Sequence, residues 1–188
     1  MEGFSESIRS AAEELDRMET RREEALSLSR SVIRLSKRVI HDIHTGSSPA
    51  DHLSGLEDAK KDLMGSFPCT AVQDALMEYA EAAILASLDS DGRVPSSEEL
   101  GIPVVPWVLG LADSVGELRR IVTSEIMGGE LDSAKNHMDV MEEICGELML
   151  LDVPDAVAPV RRKQDIARGV VDRTRSDLIA AASAAGRI

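Results

Sequence analysis

Four carboxylates lie in two segments of the chain that are otherwise largely apolar. Glu78 and Glu81 are three residues apart in one segment, and Asp113 and Glu117 are four apart in the other. Either spacing places both carboxylates of a pair on one face of a helix. Glu81 stands at the edge of an apolar run, and Asp113 ends an uncharged run at residues 101–112. A bare carboxylate is costly in such surroundings, so these four residues are candidates for chemistry.

Two adjacent helices that turned these pairs inward would bring four negative charges together. The charges would repel one another unless some carboxylates were protonated or paired with a cation. Mg²⁺ or Mn²⁺ suits such a site because hard divalent ions prefer carboxylate oxygen and water. A divalent ion held in this way can activate water and stabilise the charge that develops on a phosphate during phosphodiester cleavage. Spacing alone leaves a second interpretation open, in which all four are ordinary solvated carboxylates.

The elements that must position these residues are helices. Apolar residues recur with the helical period along the chain, and no stretch shows the alternation of β-branched residues that is typical of strands. We predict helices at residues 5–45, 49–64, 70–88, 106–127, 131–151 and 156–185, with a short turn at 96–100. The fold class is therefore all-α, a bundle of about six amphipathic helices in a single domain over residues 1–188. Long amphipathic helices often pack against copies of the same chain, so we expect an oligomer.

Composition excludes several classes of protein. The 188 residues include 21 basic and 34 acidic side chains, a net charge of −13, and residues 47–118 alone hold 3 basic and 13 acidic ones. No apolar run approaches the roughly 18 uncharged residues of a membrane span, so no membrane partner is expected. Two cysteines cannot form a disulfide framework, which favours a reducing cytoplasm. We expect a soluble, acidic, cytoplasmic domain.

Two basic stripes stand out against this acidic background. An acidic protein binds nucleic acid poorly as a whole, but stripes that face inward can contact phosphates. The alternative is that they are solvated helix faces with ion pairs along the helix. The first stripe is Arg30, Arg34, Lys37 and Arg38, and the second is Arg161, Arg162, Lys163 and Arg168, with Arg175 seven residues further on.

The remaining notable residues have simpler interpretations. The four histidines, His41, His44, His52 and His137, have no evident partners in sequence and are interpreted as structural or exposed. Tyr79, Trp107 and Cys145 are interpreted as core residues. Gly110 and Gly116 flank Asp113 about one helical turn away and leave room for a close helix contact or a substrate.

The two carboxylate segments resemble those of the translin/trax family. Residues 78–82, EYAEA, are similar to the E-Y-V-E-A segment of trax, the catalytic partner of translin, and residues 109–118, LGLADSVGEL, resemble its L-G-V-A-D-L-T-G-E-L. The first long helix and residues 160–165 also match, so the resemblance covers nearly the whole chain in order. Translin lacks the E-x-x-E pair, so the presence of this pair here indicates the catalytic branch. The compact chain resembles archaeal members that assemble alone.

The resemblance implies an all-α fold that assembles into a hollow, roughly octameric shell. It also implies a Mg²⁺-dependent endoribonuclease that acts on single-stranded RNA inside the shell, with single-stranded DNA as a second ligand and folded duplexes excluded. By position, Glu78, Glu81, Asp113 and Glu117 match the four acidic catalytic residues, which would also bind the metal. The basic and aromatic cluster of eukaryotic translin has no counterpart here, so RNA contacts fall to the two basic stripes.

Three other functions are open at this point. An all-α nucleoside triphosphate pyrophosphohydrolase also uses an E-x-x-E pair and a later acidic pair, although the later pair here is D-x-x-x-E and begins 32 positions after Glu81. A non-catalytic, translin-like shell would bind RNA or DNA in a salt-dependent way without cleaving it. A purely structural helical adaptor would leave both carboxylate pairs exposed and replaceable.

Overall fold

The structure, a computed structural model, describes residues 3–187. Within that range the chain forms helices and no strand, which confirms the all-α prediction. The predicted turn at 96–100 is itself a four-residue helix, so the described chain has seven helices rather than six. They are α1 (Phe4–His44), α2 (Ala50–Met64), α3 (Thr70–Asp91), α4 (Ser97–Leu100), α5 (Val104–Gly128), α6 (Leu131–Met149) and α7 (Val160–Ala184).

Two helix boundaries differ from prediction by more than two residues. Helix α3 continues through the expected turn to Asp91 and ends at Gly92, whose φ of 67° is the left-handed conformation that terminates a helix most easily at glycine. Helix α7 begins at Val160 rather than at residue 156, directly after Pro159. Proline disfavours a helical conformation in the residue before it, so a helix could not run through this point.

Helix α1 extends well beyond the rest of the bundle. Its 41 residues span about 60 Å at 1.5 Å per residue. The first residue of α1 that is buried in the core is Ala25, whereas Phe4, Ile8 and Leu15 are each more than half exposed. The N-terminal half of α1 therefore presents an apolar stripe that the chain itself does not cover.

Helix α3 packs between α1 and α5, and α5 also contacts α6 and α7. The close contact between α3 and α5 depends on Gly110. A Cβ at this position would lie 2.6 Å from the backbone oxygen of Met77, 2.7 Å from the Cβ of Ala80 and 2.9 Å from the backbone nitrogen of Glu81. A larger residue would force these atoms apart, so Gly110 permits a close approach of the two helices about one turn before Asp113. In the part of the chain that the structure describes, no helix is long and apolar enough to span a membrane.

Candidate active site

A cleft of about 400 Å³ opens where α1, α3 and α5 meet. Three of the four predicted carboxylates line it, namely Glu78 and Glu81 from α3 and Glu117 from α5. The remaining lining residues are Lys37, Ile40, His41 and Arg120. The cleft therefore combines an acidic interior with basic side chains from α1 and α5.

Glu81 is the carboxylate most strongly affected by its surroundings. Burial is the largest cause that raises its pKa, from the ordinary value of 4.5 to about 8. The negative charges of Asp113, Glu78 and Glu117 raise it further, and the positive charge of Lys163 opposes them. The four predicted carboxylates are thus close enough to interact electrically. Near neutral pH, Glu81 must either hold a proton or be compensated by a cation.

Asp113 is bonded to a lysine from the last helix. The Nζ of Lys163 lies 2.5 Å from both carboxylate oxygens of Asp113 and donates to both. The next residue, Gln164, is buried and donates through Nε2 to the backbone oxygens of Leu148, at 2.7 Å, and Leu151, at 2.8 Å. These bonds fix the first turn of α7 against the end of α6 and so place Lys163 beside α5.

Glu117 is bonded to a histidine from the first helix. The Nε2 of His44 lies 2.5 Å from the Oε2 of Glu117, and the His44 side chain is only 6% exposed. Arg120 lies on the other side, with its guanidinium 3.8 Å from the same oxygen. The prediction that the histidines have no partner is wrong for His52, which lies 2.5 Å from Asp42, for His137, which lies 2.9 Å from Glu125, and for His44, which is bonded to Glu117. The two residues are 73 positions apart, and no spacing pattern within a helix could have revealed the pair.

Comparison with known proteins identifies the family of this chain. No family model matches the chain. An uncharacterised protein of Methanocaldococcus jannaschii is 33% identical over 166 residues, which cover 84% of this chain and 75% of that protein. The structure of AfC3PO in complex with duplex RNA is 30% identical, has a TM-score of 0.85, and matches 95% of this chain and 97% of its own. C3PO structures are translin/trax structures. The chain belongs to the translin/trax superfamily.

Two further C3PO structures agree with this assignment. A second structure of AfC3PO has 29% identity and a TM-score of 0.85, and the match covers 95% of this translin/trax chain and 98% of that one. Apo-NeC3PO is 24% identical with a TM-score of 0.82, and the match covers 93% of this chain and 96% of that one. At that identity the second comparison supports the fold alone.

The basic stripes of this translin/trax chain differ in their surroundings. The first stripe, Arg30, Arg34, Lys37 and Arg38, is exposed along α1, and Lys37 reaches the cleft. In the second stripe, Lys163 lies in the carboxylate site and not on the exposed face, while Arg162 is exposed. The other members form exposed ion pairs, Arg161 with Asp152 at 3.5 Å, Arg168 with Asp165 at 3.7 Å and Arg175 with Glu142 at 2.9 Å.

The donor set suits a divalent cation, although the side chains are not arranged around one. Within residues 3–187, no three His, Cys, Asp or Glu side chains are placed to hold a metal ion together. Asp113 and Glu117 are bonded to Lys163 and His44 instead. Glu81 and the three carboxylates whose charges raise its pKa are nonetheless the hard oxygen donors that Mg²⁺ prefers. The ammonium on both oxygens of Asp113 already occupies the place where a cation is needed.

Two of the expected core residues have polar roles as well. Tyr79 is fully buried, as predicted, and its hydroxyl donates a hydrogen bond to Glu57 on α2. Trp107 is partly buried and donates from Nε1 to the backbone oxygen of Pro95 at 2.9 Å. Cys145 is buried, in agreement with prediction. None of these three residues lines the cleft.

Proposed function

We propose that this chain is a Mg²⁺-dependent endoribonuclease that cleaves phosphodiester bonds in single-stranded RNA. One observation carries the proposal: Glu81 is partly buried among three other carboxylates, and its pKa is raised to about 8. Groups with pKa values displaced in this way by burial and charge are concentrated at functional sites. Similarity to AfC3PO, which forms a complex with duplex RNA, supports an interaction with RNA.

The side chains around the cleft have distinct roles in this proposal. Lys37 and Arg120 line the cleft and attract the phosphate backbone, and the rest of the first stripe continues that attraction along α1. Glu81 has a raised pKa in the metal-free cleft, so it would release its proton when the ion binds. Glu78, Glu81, Asp113 and Glu117 would hold Mg²⁺, or Mn²⁺ in its place. The ion would supply activated water and neutralise charge on the phosphate.

The proposal is tested by following the cleavage of end-labelled single-stranded RNA in Mg²⁺ and in EDTA. We expect wild-type cleavage in Mg²⁺ only. The Glu81→Gln variant should remain folded but lose activity, because the amide can neither carry the charge nor exchange the proton. Asp74→Asn is a matched control, since Asp74 is an exposed carboxylate on the same helix. This variant should cleave RNA at the wild-type rate. Full activity of a folded Glu81→Gln variant would refute the role of Glu81.

The strand preference is tested with the same RNA before and after annealing to its complement. We expect faster cleavage of the single strand, because a site inside a closed assembly admits flexible strands more readily than rigid duplexes. AfC3PO binds a duplex, so the two substrates must be compared directly for this chain. Equal rates would show that the strand preference is absent. Single-stranded DNA of the same sequence is expected to bind as a second ligand.

Assembly into a hollow homo-oligomer, with an octamer as the expected size, is also part of the proposal. The exposed apolar stripe of α1 at Phe4, Ile8 and Leu15 is the surface that supports it. Solution mass tests this directly: we expect an oligomer for the wild type and a smaller species after Ile8→Glu and Leu15→Glu together. A wild-type monomer at micromolar concentration would refute the shell.

A non-catalytic RNA- or DNA-binding shell is the second candidate function. It is favoured by the bonding of Asp113 to Lys163 and of Glu117 to His44, which leaves two of the four carboxylates paired with basic residues. This alternative predicts that RNA is retained and released by salt, since phosphate contacts release counterions. Intact RNA after prolonged incubation in Mg²⁺, with binding retained, would favour it over the ribonuclease.

A further inference from the structure

Lys163 contacts both oxygens of one carboxylate of the cluster, whereas His44 and Arg120 each approach a single oxygen of Glu117. Its Nζ lies 2.5 Å from both oxygens of Asp113, and the two side chains are 26% and 29% exposed. Its positive charge also reaches Glu81, where it opposes the effect of the neighbouring carboxylates. The ammonium therefore acts on two of the four residues that the proposed function assigns to the metal.

The backbone at Lys163 is held in place, whereas its side chain is partly exposed and ends in a charge that can be repositioned. Val160 and Gln164 are buried on either side, and the two hydrogen bonds of Gln164 hold the start of α7 against α6. Lysine carries its charge on a flexible four-carbon stem. The partly exposed ammonium can leave Asp113 for solvent without any change in the helices. His44 lacks this freedom, because its short side chain is almost completely buried.

We propose that Lys163 is an internal counter-ion that competes with the divalent cation for Asp113. This inference rests on the proposed function, since it concerns the metal site of that function. An ammonium that bonds to both oxygens of Asp113 repels a second cation and occupies lone pairs that a bidentate ion would use. Lys163 therefore neutralises the cluster when the metal is absent and lowers the affinity for the metal, and its ammonium turns towards solvent when the metal binds. Lys163 is a positioning residue in this scheme and does not contact the reacting phosphate.

Metal affinity in the absence of RNA provides the test. Mn²⁺ is titrated into the full-length protein, and the unbound ion is measured by its electron paramagnetic resonance spectrum. We expect Lys163→Met to bind Mn²⁺ about tenfold more tightly than wild type, which corresponds to about 1.4 kcal/mol. Lys163→Arg keeps the charge and should bind Mn²⁺ no more tightly than wild type. Lys135→Met removes the same charge from an exposed position on α6 and should change the affinity by less than about twofold.

A second measurement uses the unmodified protein and does not depend on any variant. An amine-reactive reagent is applied in EDTA and in Mn²⁺, and the labelled lysines are identified by mass spectrometry. The labelling of Lys163 should rise several-fold in Mn²⁺, because its ammonium is released from Asp113. Lys135 should be labelled equally in both conditions.

The outcomes separate this inference from the proposed function. Unchanged or weaker Mn²⁺ binding by Lys163→Met, or constant labelling of Lys163, would overturn the competition while leaving the ribonuclease intact. The absence of Mn²⁺ binding in both wild type and Lys163→Met would overturn the competition and the metal site together. Tighter binding by Lys163→Met in a protein that leaves RNA intact would support the competition and refute the ribonuclease.

Discussion

Replacing Glu81 with glutamine should stabilise the metal-free protein at neutral pH. The folded state raises the pKa of Glu81 from its ordinary value of 4.5 to about 8, mainly through burial. In the unfolded chain the carboxyl group ionises at its ordinary pKa, so at pH 7 the unfolded state has lost a proton that the folded state keeps. Glutamine is neutral in both states and avoids this difference. The variant is therefore more stable, although it has lost a functional group.

The size of the effect follows from the linkage between proton binding and folding. For each unit by which the pH exceeds the ordinary pKa, the free energy of unfolding of the wild type falls by about 1.36 kcal/mol relative to the variant. This continues until the raised pKa is reached. At pH 7 the expected cost for Glu81 is therefore about 3 kcal/mol. The wild type is most stable relative to the variant below pH 4.5, and it loses this relative stability as the pH rises towards about 8. Above that value the difference is constant.

Thermal or urea unfolding in EDTA between pH 4 and pH 9 measures this difference. We expect the two proteins to be about equally stable at pH 4 and the glutamine variant to be more stable at pH 7, by about 6–12 °C in Tm for a chain of this size. Asp74→Asn removes an exposed carboxylate from the same helix and should follow the wild type. A difference between wild type and Glu81→Gln that does not vary with pH, or a less stable variant, would refute the reasoning.

Two further predictions concern the helices and contacts that place the carboxylates. Gly110→Ala should lower the free energy of unfolding by about 1–3 kcal/mol and reduce cleavage, because its Cβ would meet backbone atoms of α3 within 3.0 Å. Gly116→Ala has open space around the new Cβ and should raise stability by about 0.5–1 kcal/mol; equal effects at both glycines would refute the close contact. His44→Ala should lower the free energy of unfolding by about 1.5–3 kcal/mol, because Glu117 loses its bonded partner. Urea unfolding measures this loss, and no change would mean that the bond contributes little.

The helices and the composition of the acidic cluster could be predicted from the sequence. Glu78 and Glu81 share one turn, as do Asp113 and Glu117, so the helical period alone places each pair on one face. Gly110 was expected to permit a close contact, and it does. Helix ends were less predictable where two signals competed: the turn-like residues after Leu88 were overridden by continued helical bonding up to a left-handed glycine.

The basic partners of the cluster could not be predicted from the sequence. Lys163 and Asp113 are 50 positions apart, and His44 and Glu117 are 73 apart. Periodicity describes one helix at a time, whereas these contacts depend on how three different helices pack. The stripe that contains Lys163 looked uniform because its members have the same charge. The bond between Lys163 and Asp113 shows that this side chain turns towards α5, whereas Arg161 and Arg162 face solvent.

The central claim is that the four carboxylates form a single catalytic site. It is tested by measuring the single-turnover cleavage rate and the RNA affinity of Glu78→Gln, Glu81→Gln, Asp113→Asn and Glu117→Gln in parallel. The account predicts that each variant loses at least about a hundredfold in rate, that RNA affinity is largely retained, and that a double variant loses little more than either single one, as groups acting as a unit do. Near-wild-type rates for Glu81→Gln and Asp113→Asn in folded, RNA-binding protein would contradict it.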